Sequence, residues 1–413
     1  MGGGHGGCPI CYTSSMQKKL TVAVVFGGRS GEYEVSIVSA QSVAASLDPK
    51  KYEVILIGIT PEGSWLCDND AGGATGITGG VATMIAARLG GAEIRREHST
   101  IFEAFKKKSF KNLAPVQLSL DPGKKGFYVG AKHLPVDVVF PVLHGPYGED
   151  GMIQGLCEMA SLPYVGCGVT AASTCMDKLV TKRILQSLDI PQVPFLSVTR
   201  DDINKNFPRI KTDVLKQLGL PCFVKPANLG SSVGISKVKK IAELKGALEL
   251  AAEFDYSIII EKGISAREIE CAVLGNHTPE VSIAGEIVPS REFYDFYAKY
   301  VDNSSELFIP AHITKKQIAT MQKIALDAYL ILQCSGLSRI DFLMDKRTGK
   351  FYLNELNTMP GFTSISMYPK LWAASGIPYK KLLDRLIALG MERYKERQAT
   401  KTTFESGSDW FKK

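Results

Sequence analysis

No apolar run in this 413-residue chain approaches the ~18 residues that a membrane-spanning helix needs. The glycine-rich first residues lack the apolar core of a secretory signal, so no membrane partner is expected and a cytoplasmic location is. The nine cysteines are odd in number and irregularly spaced, which excludes a disulfide framework and suits reduced thiols. The one C-x-x-C pair, Cys8 and Cys11 with His5 before it, has no second pair of ligands nearby. It is read as part of a disordered tail. Lys and Arg give a net charge of +7 but are spread along the chain. A nucleic-acid partner would need a concentrated basic stripe, so none is expected. Internal repeats and an H-E-x-x-H zinc motif are also missing.

Two nucleotide fingerprints are absent as well. A dinucleotide turn would need Gly at 27, 29 and 32, but Arg29 and Glu32 occupy the last two positions. In VKPANLGSSVG (224–234) the lysine precedes the glycines, the reverse of a phosphate loop.

What is present has ordinary globular composition, 45% hydrophobic and 22% charged. The length suits roughly two to four domains with buried cores. LTVAVVF (20–26), YEVILIGI (52–59) and VDVVFPVL (136–143) read as strands buried on both faces. A Gly-rich turn and a helix follow the first, with Val35, Val38 and Ser42 expected on one side of that helix. This order predicts a doubly wound parallel sheet. Residues 66–130 show weak periodicity and read as an elaborated loop region. Helices are expected over 151–160, 177–188, 243–252, 314–333 and 379–395. Strands are expected at PCFVKP, YSIIIEK and EIECAVL, and SRIDFLM with KFYLNELN form a hairpin.

Several places carry chemistry. Glu32, at a helix start, either complements the helix dipole or holds an ammonium group. Strand alternation puts Arg339 and Asp341 on one face, and Glu355 and Asn357 on one face of the next strand. Two acids and an amide oxygen suit Mg²⁺ bridging nucleotide phosphates, and Arg339 suits developing negative charge. Lys225 ends a strand, and the Gly230-Ser231-Ser232 loop reads as a cover over phosphates or as a flexible turn. His144 follows a buried strand, where open α/β sheets bind ligands. FYDFYAKY (293–300) is either packing for a long loop or part of a site.

Together these pieces resemble the D-alanine–D-alanine ligase family of the ATP-grasp superfamily. The matching stretches are FGGRSGEYEVS, PVLHGPYGEDGMIQG, MDKLVTK, VKPANLGSSVGISKV, EKGISAREIECAVL, FYDFYAKY, SRIDFLM and YLNELNTMPGFTSISMYP, from about residue 20 to 390. The resemblance implies an α/β fold that becomes α+β in the ATP-grasp part. It divides the chain into a tail (1–18), a Rossmann-like domain (19–150), a central subdomain with the lid loop (151–262), a C-terminal subdomain with the Mg²⁺ site (263–396) and a polar tail (397–413). The implied activity joins two D-alanine molecules through an acyl phosphate, with ATP and Mg²⁺ or Mn²⁺, a pair of ions, for peptidoglycan precursors. The implied assembly is a homodimer.

The resemblance also implies roles. Glu32 holds the first D-alanine's ammonium, and Ser231 and Tyr300 join it in a network that ties the lid shut. Arg339 and the Gly361 amide stabilise the tetrahedral oxyanion. His144 lies near the first D-alanine, and Ser366 and Met367 near the second. Lys178, Lys225 and Lys299 contact phosphates, with Ser231, Ser232 and Asn354 also at the nucleotide. Glu261, Lys262, Ile264 and Glu268 bind adenine and ribose, with Phe293 nearby. Asp341, Glu355 and Asn357 bind the metal. Gly263 departs from the bulky residue frequent in the family, and Met367 from its leucine. The intact Ala-Lys-Tyr at 298–300 favours an amine acceptor, while D-serine, or another acceptor of an ATP-grasp carboxylate–amine ligase, stays open as the alternative.

Overall fold

The computed structural model describes residues 18–69, 96–230, 233–288 and 306–402, and of residues 96–99 the backbone alone. The N-terminal part runs β1 (Leu20–Gly27), α1 (Tyr33–Ser46), β2 (Tyr52–Ile59), β3 (Trp65–Asp68), α2 (Arg96–Lys106), β4 (Leu113–Pro115), β5 (Gln117–Leu118), β6 (Gly126–Val129), β7 (Lys132–Pro135) and β8 (Val138–Val142). β1 lies between β2 and β8, parallel to both, in a five-stranded sheet ordered β4-β3-β2-β1-β8. Its alternate residues feed two cores. Val22, Val24 and Phe26 face α1 and α2, while Ala23 and Val25 face the opposite layer. Helices on both faces explain why β1 reads as one apolar run rather than an alternation.

Three expectations change. β3 and β4 join the sheet antiparallel, so its edge is mixed. The described part of 66–130 holds α2, β4 and the first two strands of the small sheet β5-β6-β7. Strands of two to four residues are too short for periodicity to register. The buried stripe of α1 is Tyr33, Ile37, Ala40, Val43 and Ala44, whereas Val38 is 44% exposed. Tyr33, Ile37, Ala40 and Ala44 follow the three-to-four spacing of a helix face, and the stripe begins one residue after Glu32.

The turn after β1 needs glycine. Gly27 and Gly28 have φ of 85° and 101°, and Gly28 N–H donates to Ile59 O at 2.8 Å. A Cβ on Gly27 would stand 2.3 Å from that carbonyl oxygen.

Three helices follow: α3 (Met152–Met159), α4 (Val169–Met176) and α5 (Lys178–Gln186). The next unit comprises β9 (Phe195–Thr199), α6 (Arg200–Lys205), α7 (Phe207–Asp213), β10 (Cys222–Pro226), β11 (Ser236–Val238), α8 (Leu244–Phe254) and β12 (Ser257–Lys262). Its antiparallel sheet, ordered β11-β10-β12-β9, has its own core under α6, α7 and α8.

The last unit holds β13 (Ala266–Gly275), β14 (Glu280–Val281), β15 (Gly285–Val288), β16 (Glu306–Phe308), α9 (Lys315–Ile331), β17 (Gly336–Asp345), β18 (Phe351–Asn357), α10 (Met367–Ala374) and α11 (Tyr379–Gln398). Its antiparallel sheet runs β16-β15-β13-β17-β18, with β14 on β13. α9 covers one face, while α10 and α11 cover the other.

α11 also closes the first sheet. Leu382, Leu383, Leu386 and Ile387 share one buried cluster with Val22, Val24 and Phe26. Each such side chain taken from water stabilises by about 1.5–3 kcal/mol. Polar ties cross the same boundary: Asp384 meets Lys51 at 2.7 Å and Tyr52 Oη at 2.8 Å, and Arg393 donates to the carbonyls of Tyr164 and Gly166. Among the described residues, no helix is long and apolar enough to cross a membrane.

Candidate active site

A cleft of about 1220 Å³ lies where the three units meet. It is bordered by Glu32, His144, Lys178, Lys225, Glu261, Lys262, Ile264, Glu268, Arg339, Asp341, Asn354, Glu355, Asn357, Gly361, Ser366 and Met367. Ser231, Ser232, Phe293, Lys299 and Tyr300 lie outside the described residues.

The floor is the β17–β18 hairpin. Arg339 pairs with Asn357 and Asp341 with Glu355, so alternation brings all four onto one face. The register then slips between Asp341 and Phe342, and Phe342 pairs with Leu353. That bulge lets Asn354 and Glu355, adjacent in sequence, both border the cleft. Arg339 makes a fork on Asp341, Nε to Oδ1 and Nη2 to Oδ2, both at 2.7 Å. Its Nε is also 3.2 Å from Glu270 Oε2. Burial works against the guanidinium charge, but Asp341 and Glu270 outweigh it and hold its pKa well above the ordinary value.

The facing wall carries lysines. Asp177 caps α5, its side chain accepting from the amides of Leu179 and Val180, which fixes Lys178 at the first helical position. Lys178 Nζ donates to Leu229 O at 2.6 Å and lies 3.9 Å from Glu355 Oε2. Burial lowers its pKa. Lys225 on β10 reaches the diagonal neighbour Glu261 on β12, 2.6 Å from Oε2, and Lys182 of α5 holds Oε1 at 2.8 Å. Burial pushes the Glu261 carboxyl up, but the two ammonium groups bring it down to about 2. The Gly263 departure has a local reason: a Cβ there would stand 2.6 Å from Pro221 O.

The third side comes from strand ends and turns. Glu32 occupies the position before α1 without capping it, and its carboxylate borders the cleft. Oε2 lies 3.3 Å from where a side chain on Gly230 would begin, next to the lid serines in sequence. Met359 O, 3.0 Å away, can only accept, so His144 Nδ1 carries the proton. Its Nε2 then accepts from Ser39 Oγ at 3.3 Å. Burial lowers the His144 pKa, which keeps the ring neutral. Ser366 precedes α10, and its Oγ accepts from the Thr363 amide at 3.0 Å. Gly361 lies against it, since a Cβ there would be 2.7 Å from Ser366 Oγ.

Three buried groups at the site were not singled out in the sequence. Lys182 follows Lys178 by four residues, hence on the same helix face, and Glu270 follows Glu268 by two on one strand face. Those spacings were available signals. Glu149 sits inside HGPYGEDG with no such signal. It is 8% exposed, its Oε2 accepts from Gly145 N–H at 3.2 Å, and Oε1 has no hydrogen-bond partner among the described residues. Burial and then the Glu32 charge raise its pKa well above the ordinary carboxyl value. With the folded pKa above the unfolded one, its stabilising contribution is complete below about pH 4.3 and is lost as pH rises through the folded value. Glu149→Gln cannot ionise. Its melting temperature relative to wild type is expected to improve between about pH 5 and about pH 8. An unchanged difference at the two pH values would show that Glu149 does not titrate this way.

Comparison with known proteins bears on most of the chain. The family model "D-ala D-ala ligase N-terminus" matches residues 21–167, and "D-ala D-ala ligase C-terminus" matches 184–388. A relative from Thermoanaerobacter sp. (strain X514), named D-alanine–D-alanine ligase, is 49% identical over 384 residues, 92% of this chain and 99% of its own. One of the same name from Heliobacterium modesticaldum is 47% identical over 388 residues, 93% and 98% of the two chains. Among solved structures, the D-alanine-D-alanine ligase from Coxiella burnetii superposes with a TM-score of 0.76 at 33% identity, covering 92% of this chain and 97% of that one. A D-Ala:D-Ser ligase from Enterococcus faecalis gives 0.75 at 35%, covering 90% and 100%.

Proposed function

The chain belongs to the D-alanine–D-alanine ligase family, and from that membership we propose that it joins two D-alanine molecules into D-alanyl-D-alanine, a peptidoglycan precursor. In this reaction ATP transfers its γ-phosphoryl group to the carboxylate of the first D-alanine and ADP leaves. The amine of the second D-alanine attacks the acyl phosphate carbon, and the tetrahedral adduct expels phosphate. Catalysis of this kind is mainly positioning and electrostatics.

The observation that carries the reading is convergence. Arg339, Asp341, Glu355 and Asn357 share one face of a hairpin and border the same cleft as Lys178 and Lys225. In our reading the lysines hold phosphates, with Lys299, Ser231, Ser232 and Asn354. Glu261, Lys262, Ile264, Glu268 and Phe293 take the adenosine part. Glu32 holds the first ammonium group beside neutral His144, with Ser231 and Tyr300 linking it to the lid. Arg339 and the Gly361 amide meet the oxyanion. Ser366 and Met367 receive the second D-alanine.

The donor set fits Mg²⁺ or Mn²⁺. Asn357 Oδ1 is oriented by the Met359 amide at 3.0 Å, and all three side chains offer hard oxygen. Among the described residues no three His, Cys, Asp or Glu side chains form a metal cage; Mg²⁺ held by one or two carboxylates would take its remaining ligands from phosphate and water when bound. Asp341, Glu355 and Asn357 would hold a pair of ions, whose charge would neutralise the phosphates when bound. We also propose a cytoplasmic homodimer.

The test is phosphate release with products identified by mass, using D-alanine alone and in competition with D-serine and D-lactate. D-alanyl-D-alanine is expected to dominate. No phosphate release above background with D-alanine would sink the proposal. D-serine is the second reading because a D-Ala:D-Ser ligase matches this fold, and a dominant mixed dipeptide would select it.

A further inference from the structure

Glu261 has two cationic partners that differ in what they can reach. Lys225 borders the cleft, whereas Lys182 comes from α5 and is only 2% exposed. The Lys182 ammonium is 2.8 Å from Glu261 Oε1 and 5.5 Å from the Phe195 ring, which pairs with Glu261 across β9 and β12. Nucleotide phosphates would compete with Glu261 for Lys225. They would not reach Lys182.

We infer that Lys182 determines which purine base the cleft accepts, by keeping Glu261 an ionised, acceptor-only carboxylate. This rests on the placement of Glu261 at the base proposed above. An ionised carboxylate accepts hydrogen bonds and donates none, so it suits the exocyclic amino group of adenine. A 6-oxopurine presents a carbonyl at that edge, and two acceptors would face each other. Glu261 is faced by Lys182 from α5, by Lys225 from β10 and by the apolar Phe195 from β9, with the Lys178 charge further off. Once phosphates share Lys225, removal of Lys182 leaves a buried carboxyl with too little positive charge. It then takes up a proton and becomes a donor.

The experiment compares kcat/KM for ATP and for ITP in wild type, Lys182→Met and Lys182→Arg. Lys182→Met is expected to raise KM for ATP about tenfold, with KM for D-alanine within about twofold, and to cut the ATP-over-ITP preference about tenfold. Lys182→Arg keeps the charge and is expected to restore most of that preference. A Lys182→Met enzyme whose preference stays within about twofold of wild type overturns the inference. If that variant does not fold, Lys182→Met with Glu261→Gln removes the unpaired charge. A neutral amide both donates and accepts, so this double variant should use both nucleotides alike, and retained preference overturns the inference equally. Glu261→Gln alone separates the two levels. If it leaves KM for ATP and the preference unchanged, Glu261 is not at the base and the underlying placement fails too. If it changes them while Lys182→Met does not, only the role of Lys182 fails.

Discussion

Arg339→Ala is expected to lower kcat about a thousandfold while KM for ATP moves less than about threefold. The residue sits on the cleft floor with two of its N–H groups on Asp341 and an acidic neighbour in Glu270. In the proposed oxyanion role, that clamp would hold the guanidinium ready for the tetrahedral adduct, so its benefit would appear in the transition state rather than in nucleotide binding. Truncation also leaves Asp341 facing Glu270 across β13 and β17 without their shared cation, a costly arrangement in a buried site. Arg339→Lys separates the two effects, since it keeps the charge but not the fork. It is expected to fold with a near-normal melting temperature and still lose about a hundredfold in kcat. Full turnover in the lysine variant, measured by steady-state kinetics beside a thermal melt, would remove Arg339 from the oxyanion role.

Gly27→Ala is expected to lower the melting temperature by about 3–4 °C, from a destabilisation of about 3 kcal/mol. Two costs combine. The φ of 85° strains any side chain, and the new Cβ meets the Ile59 carbonyl at 2.3 Å, with no flexible atom to give way. That carbonyl also accepts from Gly28, so a shift there loosens the turn leading to Glu32. Gly31→Ala is the control, because nothing lies within 4 Å of its Cβ position. Comparable melts for the two variants would contradict the steric account.

The sequence carried much of this in the form that strand chemistry allows. Alternation alone placed Arg339 with Asp341 and Glu355 with Asn357, because side-chain direction is a local property of a strand. How the strands register is not local. The slip at Asp341/Phe342 that admits Asn354 beside Glu355 became visible only once β18 was paired. The partners of Glu261 were hidden for a similar reason. Lys182 and Lys225 are far apart in the chain and meet only through the stacking of α5 on β12 and the pairing of β12 with β10. β3 through β7 are too short to show a period, and Glu149 carries no spacing signal. Motifs whose meaning is local were therefore legible, and contacts made by tertiary packing were not.

α11 has a consequence for how the protein is made. A ribosome releases β1, which begins at Leu20, long before α11, which begins at Tyr379. Val22, Val24 and Phe26 belong to a cluster that includes Leu382, Leu386 and Ile387. The nascent first sheet thus waits, with part of its apolar face uncovered, until α11 emerges. The central sheet, whose core is drawn from residues 196–260, depends on no such late arrival. β1 is in this sense made early and sealed late.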